Sequence, residues 1–129
     1  MKAIYLDNNA TTRLDPMVLE AMMPFMTDHY GNPSSIHGFG EPVRKGIERA
    51  REQVAALLGA AHDSEIIFTS CATEANSTAI LSAVEALPER KEIITSVVEH
   101  PAILEVCEHL ERRGYTIHRL PVDNQGRLD

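Results

Sequence analysis

The chain has 129 residues, of which 43% are hydrophobic and 24% are charged, a composition typical of one globular domain with a core. Its net charge of −7, with Lys and Arg scattered, disfavours a nucleic-acid partner. No apolar run is long enough to span a bilayer, and Asp7 comes too early for a signal peptide. The chain has only two cysteines, too few for a disulfide framework, so a reducing cytoplasm is the expected location.

The N-terminal residues predict a short strand and then a helix. Residues 4–6 form the strand candidate. Asp15 is a suitable helix cap and Pro16 suits the first helical position. Pro24 is expected to weaken the end of this helix.

A second helix is predicted after a loop. Residues 31–35, Gly-Asn-Pro-Ser-Ser, are dense in turn formers. Apolar residues then repeat at helical spacing over 42–58, and Gly59 is a natural stop.

Strands and helices alternate regularly in the second half of the chain. Strands are predicted at 65–69, 93–98 and 115–120, and helices at 73–87 and 101–113. This alternation predicts an α/β fold with a mostly parallel sheet.

The most informative local pattern is the change from an apolar run to small and hydroxyl residues just before a helix. The start of a helix has free backbone N–H groups and a partial positive charge. The small residues Cys71 and Ala72 would let an anion approach these groups, and Thr73 adds a hydroxyl donor. The alternative is that Ser70 or Thr73 only caps the helix, as these residue types often do.

The cysteines and histidines suggest little further chemistry by themselves. Cys71 at a helix start could be a nucleophile, but no arginine follows it as a phosphatase-type loop requires. Cys107 falls on an apolar helix face and is predicted to be core. None of the six histidines has a partner at zinc-site spacing, so no metal site is predicted. His100, between a strand and a helix, could stack, transfer a proton or cap the helix.

Four motifs in order give the chain a resemblance to the cysteine desulfurases of the class V aminotransferase superfamily. They cover nearly the whole chain: residues 5–12 (YLDNNATT), 31–37 (GNPSSIH), 68–76 (FTSCATEAN) and 98–102 (VEHPA). Cysteine rather than glycine at position 71, together with Glu99-His100-Pro101, is similar to the nitrogen-fixation branch of these enzymes.

The resemblance implies a role for several residues. Ala72 and Thr73 match positions that hold the phosphate of pyridoxal 5′-phosphate, and His100 matches a histidine that stacks on the cofactor ring and assists proton transfer. The loops at 8–12 and 32–37 match segments near the substrate pocket and the dimer interface. The candidates there are Asn8, Ala10, Thr11 and His37.

The implied activity is the removal of sulfur from L-cysteine. The products would be L-alanine and an enzyme persulfide, delivered to an iron–sulfur scaffold protein for iron–sulfur and nitrogenase cluster assembly. The implied enzyme is a cytoplasmic homodimer that uses pyridoxal phosphate as an electron sink.

The chain departs from the family pattern in its lysines and cysteines. Lys2, Lys45 and Lys91 all lie outside the Ser-x-His-Lys context of the Schiff-base lysine. Neither Cys71 nor Cys107 lies in the context of the mobile nucleophilic cysteine. The chain is therefore expected to be an N-terminal fragment of a fold-type-I enzyme, inactive and poorly folded by itself. Residues 1–14 would associate with the small domain, and 15–129 would begin the large cofactor-binding domain.

Two other interpretations remain open. Another class V pyridoxal-phosphate enzyme, a selenocysteine lyase or an aminotransferase, would share most of these motifs. A non-catalytic module that binds a phosphate ligand or a partner would explain the missing lysine.

Overall fold

The computed structural model describes residues 3–128. Met1, Lys2 and Asp129 lie outside the described residues, and Lys2 is one of the three lysines of the chain. The chain divides into two units, Met1–Ile66 and Ile67–Asp129, and each is described by itself. No helix formed by residues 3–128 is long and apolar enough to cross a membrane. The assignment of residues 1–14 and 15–129 to two domains stays a prediction.

The first unit begins with helix α1, Pro16–Thr27. As predicted, Asp15 is its N-cap and accepts a hydrogen bond from the N–H of Met17 at 2.8 Å. The helix continues past Pro24 for three residues, although proline cannot donate to the carbonyl one turn before it. No residue of α1 is buried, and even large apolar side chains are exposed: Met17 is 79% exposed and Met26 is 68% exposed.

A tight loop follows α1 and leads into helix α2, Glu41–Leu58. The predicted turn is confirmed: Asn32 accepts from the N–H of Ser34 at 2.8 Å through its side chain and from Ser35 at 3.0 Å through its carbonyl. Helix α2 ends at Gly59, whose φ of 72° lies in the left-handed region that glycine tolerates.

The second unit contains the α/β layer. Helix α3, Ala72–Ala86, is followed by strand β1, Glu92–Ser96, helix α4, Pro101–Arg112, and strand β2, Thr116–Leu120. The two strands pair in parallel, from Glu92 opposite Thr116 to Ser96 opposite Leu120, with α4 as the connection between them. The α/β prediction with a parallel sheet is confirmed for this pair of strands.

The core of the second unit lies between α4 and the sheet. Cys107, Leu110 and Ile117 form its buried centre, with exposed fractions of 1%, 0% and 9%. The predicted core position of Cys107 is confirmed. The half-buried residues packed around this centre come from all the neighbouring elements: Ile80, Val84, Ile93, Ile103, Val106 and Tyr115.

Two of the predicted strands are wrong. Residues 4–6 form no strand, and Ile4 and Leu6 are 82% and 86% exposed. At 65–69, the chain first makes a 3-10 turn, Asp63–Glu65, closed by a 2.8 Å hydrogen bond from the N–H of His62 to the Glu65 carboxylate. Residues 66–69 then run without a ladder partner among the described residues. An apolar sequence favours extended backbone, but a strand also needs a neighbour to bond.

Candidate phosphate-binding site

The start of α3 presents free donors. Cys71 is the N-cap in an extended conformation and makes no capping hydrogen bond through its side chain. The first intrahelical bond of this turn runs from the N–H of Ala75 to the carbonyl of Cys71 at 3.1 Å. The N–H groups of Ala72 and Thr73 come before it, so they lack a partner inside the helix. The positive end of the helix dipole is thus open to an anion here.

The turn before α3 is held by side chains. The N–H and the hydroxyl of Ser70 both donate to Oε2 of Glu74, at 2.6 and 2.5 Å. On the other side, the hydroxyl of Thr69 donates to the carbonyl of Cys71 at 3.2 Å. The two bonds from Ser70 lower the pKa of the Glu74 carboxyl, the hydroxyl bond more than the N–H bond. Glu74 is the residue that the sequence patterns did not single out.

Thr73 fits the role of a phosphate donor. It is exposed, and its hydroxyl makes no hydrogen bond to another residue of the described range 3–128. Two backbone N–H groups, one free hydroxyl and small neighbouring side chains form a donor set suited to a phosphate. The alternative from the sequence is that Ser70 or Thr73 caps the helix. Instead, Cys71 is the N-cap, the Ser70 hydroxyl donates to Glu74, and the Thr73 hydroxyl caps nothing among the described residues.

The starts of α3 and α4 lie on one groove of the second unit. Thr73 and Ala102 both line this groove, which has a volume of about 310 Å³ and continues past Val106 to His109. His100 precedes Ala102 by two residues, but its side chain does not line this groove.

His100 caps α4. Its Nδ1 accepts a hydrogen bond from the N–H of Ala102 at 3.1 Å, and its side chain is exposed. Because Nδ1 is an acceptor, a proton on the neutral ring lies on Nε2. Of the three roles considered for this histidine, the capping role is visible in the structure, and it leaves Nε2 and the ring face available.

The two cysteines differ in exposure and in the direction of their pKa shift. The pKa of the exposed Cys71 thiol lies below its usual value, mainly because of the N–H of Glu74. Burial raises the pKa of the Cys107 thiol. A lowered pKa favours the thiolate, so the expectation that Cys71 is not a nucleophile rests on the missing arginine, on the acid Glu74 that follows instead, and on its place outside the mobile-loop context.

The other candidate residues lie in loops of the first unit. The carbonyl of Asp7 accepts from the N–H groups of Ala10 and Thr11 at 3.1 and 3.4 Å, which forms a turn that exposes Asn8, Ala10 and Thr11. Their predicted place near a substrate pocket stays a prediction.

The loop that carries His37 is closed tightly on itself. A Cβ on Gly31 would lie 2.0 Å from the carbonyl oxygen of Phe39, so only glycine fits there. The His37 ring lies 6.2 Å from the Phe39 ring, edge to face. The role of His37 at a pocket or interface also stays a prediction. Within residues 3–128, no three His, Cys, Asp or Glu side chains gather into a group that could hold a metal ion.

An α/β layer with a parallel sheet, and with free donors at a helix start, is typical of α/β proteins that bind a phosphate-containing ligand. Within that class, the model of the aminotransferase class-V family matches residues 4–129. The chain therefore belongs to the class V aminotransferase family, whose members use pyridoxal phosphate.

Individual relatives agree with this assignment. The chain is 73% identical over its whole length to a cysteine desulfurase from Enterobacter agglomerans and 60% identical to the cysteine desulfurase NifS from Azotobacter vinelandii. A solved structure of a NifS-like protein matches 95% of the chain with a TM-score of 0.87 and 45% identity. The chain covers 34% of that structure and 32% of each of the two relatives, so it spans about a third of the length of the proteins that it matches.

Proposed function

We propose that this chain forms part of a pyridoxal-phosphate-dependent cysteine desulfurase, in which it supplies the phosphate-binding helix start. The observation that carries this proposal is the match of the whole chain, at 60–73% identity, to proteins named cysteine desulfurase. The free donors at the start of α3 support it independently, because they suit the phosphate of the cofactor.

The residues of this chain have distinct tasks in the proposed enzyme. The N–H groups of Ala72 and Thr73 and the Thr73 hydroxyl bind the phosphate and so anchor the cofactor. His100 would stack on the ring and hold a proton at Nε2, since its Nδ1 accepts from the N–H of Ala102. When bound, pyridoxal phosphate supplies an electron sink for the substrate.

The proposed reaction transfers the sulfur of L-cysteine to a thiolate of the enzyme. The carbon–sulfur bond of the substrate breaks, a sulfur–sulfur bond to the enzyme forms, and L-alanine leaves. Cys107 is unsuited to this step because it is buried and its pKa is raised. The resemblance implies that the acceptor is a cysteine on a mobile loop.

The finer assignments are also part of the proposal. The 60% identity to NifS supports the nitrogen-fixation branch, with an iron–sulfur scaffold protein as sulfur acceptor. One solved relative is described as a complex with cysteine, which supports L-cysteine as substrate. The exposed apolar side chains of α1 support a covering partner surface, as a homodimer would provide. The cytoplasm is the proposed location.

The test is a product assay on the full-length protein with pyridoxal phosphate, L-cysteine and a thiol reductant. A desulfurase releases alanine and sulfide in equal amounts. A strong preference for selenocysteine would indicate a selenocysteine lyase instead, and amino-group transfer to a 2-oxo acid would indicate an aminotransferase. A protein that binds no pyridoxal phosphate would contradict the proposal and favour a non-catalytic module.

A further inference from the structure

One carboxylate oxygen controls the turn before α3. Oε2 of Glu74 accepts from both the N–H and the hydroxyl of Ser70, at 2.6 and 2.5 Å. Hydrogen bonds to an ionised carboxylate are shorter and stronger than neutral ones. The geometry is similar to a capping box, but the glutamate reaches the residue before the N-cap instead of the N-cap itself. Ser70 is thereby tied to the first turn of the helix that it precedes.

Without Ser70, the Glu74 carboxylate could accept hydrogen bonds from the free N–H groups at the start of its own helix. A carboxylate in the first turn of a helix is attracted to the free N–H groups and to the positive end of the dipole. There it would compete with a phosphate for the N–H groups of Ala72 and Thr73, and it would repel the phosphate. The two bonds to Ser70 hold its negative charge in a fixed position outside this competition.

We propose that Glu74 is a positioning residue for the cofactor phosphate: through its two bonds from Ser70, it fixes the turn so that the donors of Ala72 and Thr73 stay available to the anion. This inference rests on the proposed function. The hydroxyl bond from Thr69 to the Cys71 carbonyl braces the same turn from its other side. The bonds from Ser70 also lower the pKa of Glu74, which favours the charged form of the carboxylate.

The experiment compares pyridoxal phosphate with pyridoxal, which lacks the phosphate, as ligands of the full-length apoprotein. Glu74→Ala is expected to weaken the binding of pyridoxal phosphate by about tenfold or more and to leave the binding of pyridoxal nearly unchanged. Ser70→Ala should weaken the binding of pyridoxal phosphate at least as much, because it also frees the Glu74 carboxylate to compete for the donors. The double variant, which has no competing carboxylate, should be no worse than Ser70→Ala. Glu74→Gln keeps an acceptor oxygen for Ser70 and should retain most of the preference for pyridoxal phosphate.

Glu85→Ala is the matched control, because it removes an exposed glutamate from the far end of the same helix. Equal weakening of both ligands by Glu74→Ala would overturn the inference, since a purely structural role affects both. Full retention of the preference in Glu74→Ala would also overturn it. If the unmodified protein shows no preference for pyridoxal phosphate over pyridoxal, it is the proposed function that fails.

Discussion

Two guanidinium nitrogens of Arg119 contact the two carboxylate oxygens of Glu111, at 3.2 and 3.0 Å, and join β2 to the last turn of α4. The pair lowers the pKa of Glu111 and raises the pKa of Arg119, in both cases mainly through the hydrogen bonds between them. The two side chains are 49% and 32% exposed, so water and salt screen their attraction. The fork-to-fork geometry fixes the direction of β2 relative to α4 more than it adds free energy.

The Arg119–Glu111 pair predicts a pH dependence of stability. The pKa of Glu111 is depressed in the folded state, so its contribution is present above the ordinary value of 4.5 and is lost as the pH falls through the folded value. Glu111→Gln is expected to lower the urea midpoint slightly at pH 7 and to have a smaller effect near pH 3, where the carboxyl of the original protein is closer to being protonated. Glu105→Gln, an exposed change on the same helix, is the control. An equal effect of Glu111→Gln at both pH values would contradict this prediction.

Leu110 should be the most costly truncation in the second unit. Its side chain is fully buried against Cys107 and Ile117. Leu110→Ala is expected to lower the free energy of unfolding by about 2–5 kcal/mol, because it removes apolar contact and leaves a cavity. Urea denaturation followed by circular dichroism measures this. Leu57→Ala in α2, where the side chain is 83% exposed, should change the midpoint little, and similar losses in both variants would contradict the assigned core.

Local signals in the sequence predict most of the helices. The Asp15–Pro16 start of α1, the Gly59 end of α2 and the spacing of Cys107 and Leu110 in α4 are all confirmed. Each depends only on residues within a few positions, so it can be read from the chain alone. The two incorrect strands, 4–6 and 65–69, fail because a strand also depends on a distant partner.

The candidate site divides in the same way. Ala72 and Thr73 could be found from the sequence because a helix start is itself a source of free donors. The bond between Ser70 and Glu74 could not, because it depends on one rotamer of the glutamate and on the bend at Ser70. A serine followed four residues later by a glutamate is too common to predict such a contact.

The Thr73 hydroxyl can be tested separately from its backbone. Thr73→Val keeps the shape of the side chain and removes the donor. In the full-length protein, we expect cofactor binding to weaken by about 1.5–3 kcal/mol, the usual value for a hydrogen bond to a charged group. Titration of the apoprotein with pyridoxal phosphate, followed by absorbance, gives this number. Thr116→Val, at an exposed position of β2, is the matched control, and unchanged affinity in Thr73→Val would count against the phosphate assignment.

His100 has two separable roles. His100→Ala removes the cap of α4 and should destabilise the fold by about 0.5–2 kcal/mol. His100→Asn offers a side-chain oxygen to the N–H of Ala102 and should restore stability without restoring the ring. Both variants should perturb the absorbance of the bound cofactor if the ring stacks on it. A normal spectrum and normal turnover in His100→Asn would leave His100 as a cap only.

Gly46 should resist the substitution that normally stabilises a helix. Alanine is favoured over glycine inside a helix by about 1 kcal/mol. At Gly46, however, a Cβ would lie 2.7 and 2.8 Å from two ring carbons of Phe25 in α1. Gly46→Ala must push this ring off α2, and we expect a net loss of up to about 2 kcal/mol of stability, because overpacking outweighs the helical gain.

Two further variants check the cause of this loss. Phe25→Leu removes the ring carbons, so Gly46→Ala introduced into that background should recover the helical gain and become stabilising. Gly38→Ala is the control in open space, since no atom lies within 4 Å of its added Cβ, and it should be close to neutral. The opposite result is that Gly46→Ala stabilises the unmodified protein by as much as it stabilises the Phe25→Leu variant. That result would show that the Phe25 ring of α1 does not lie against Gly46 of α2 in solution.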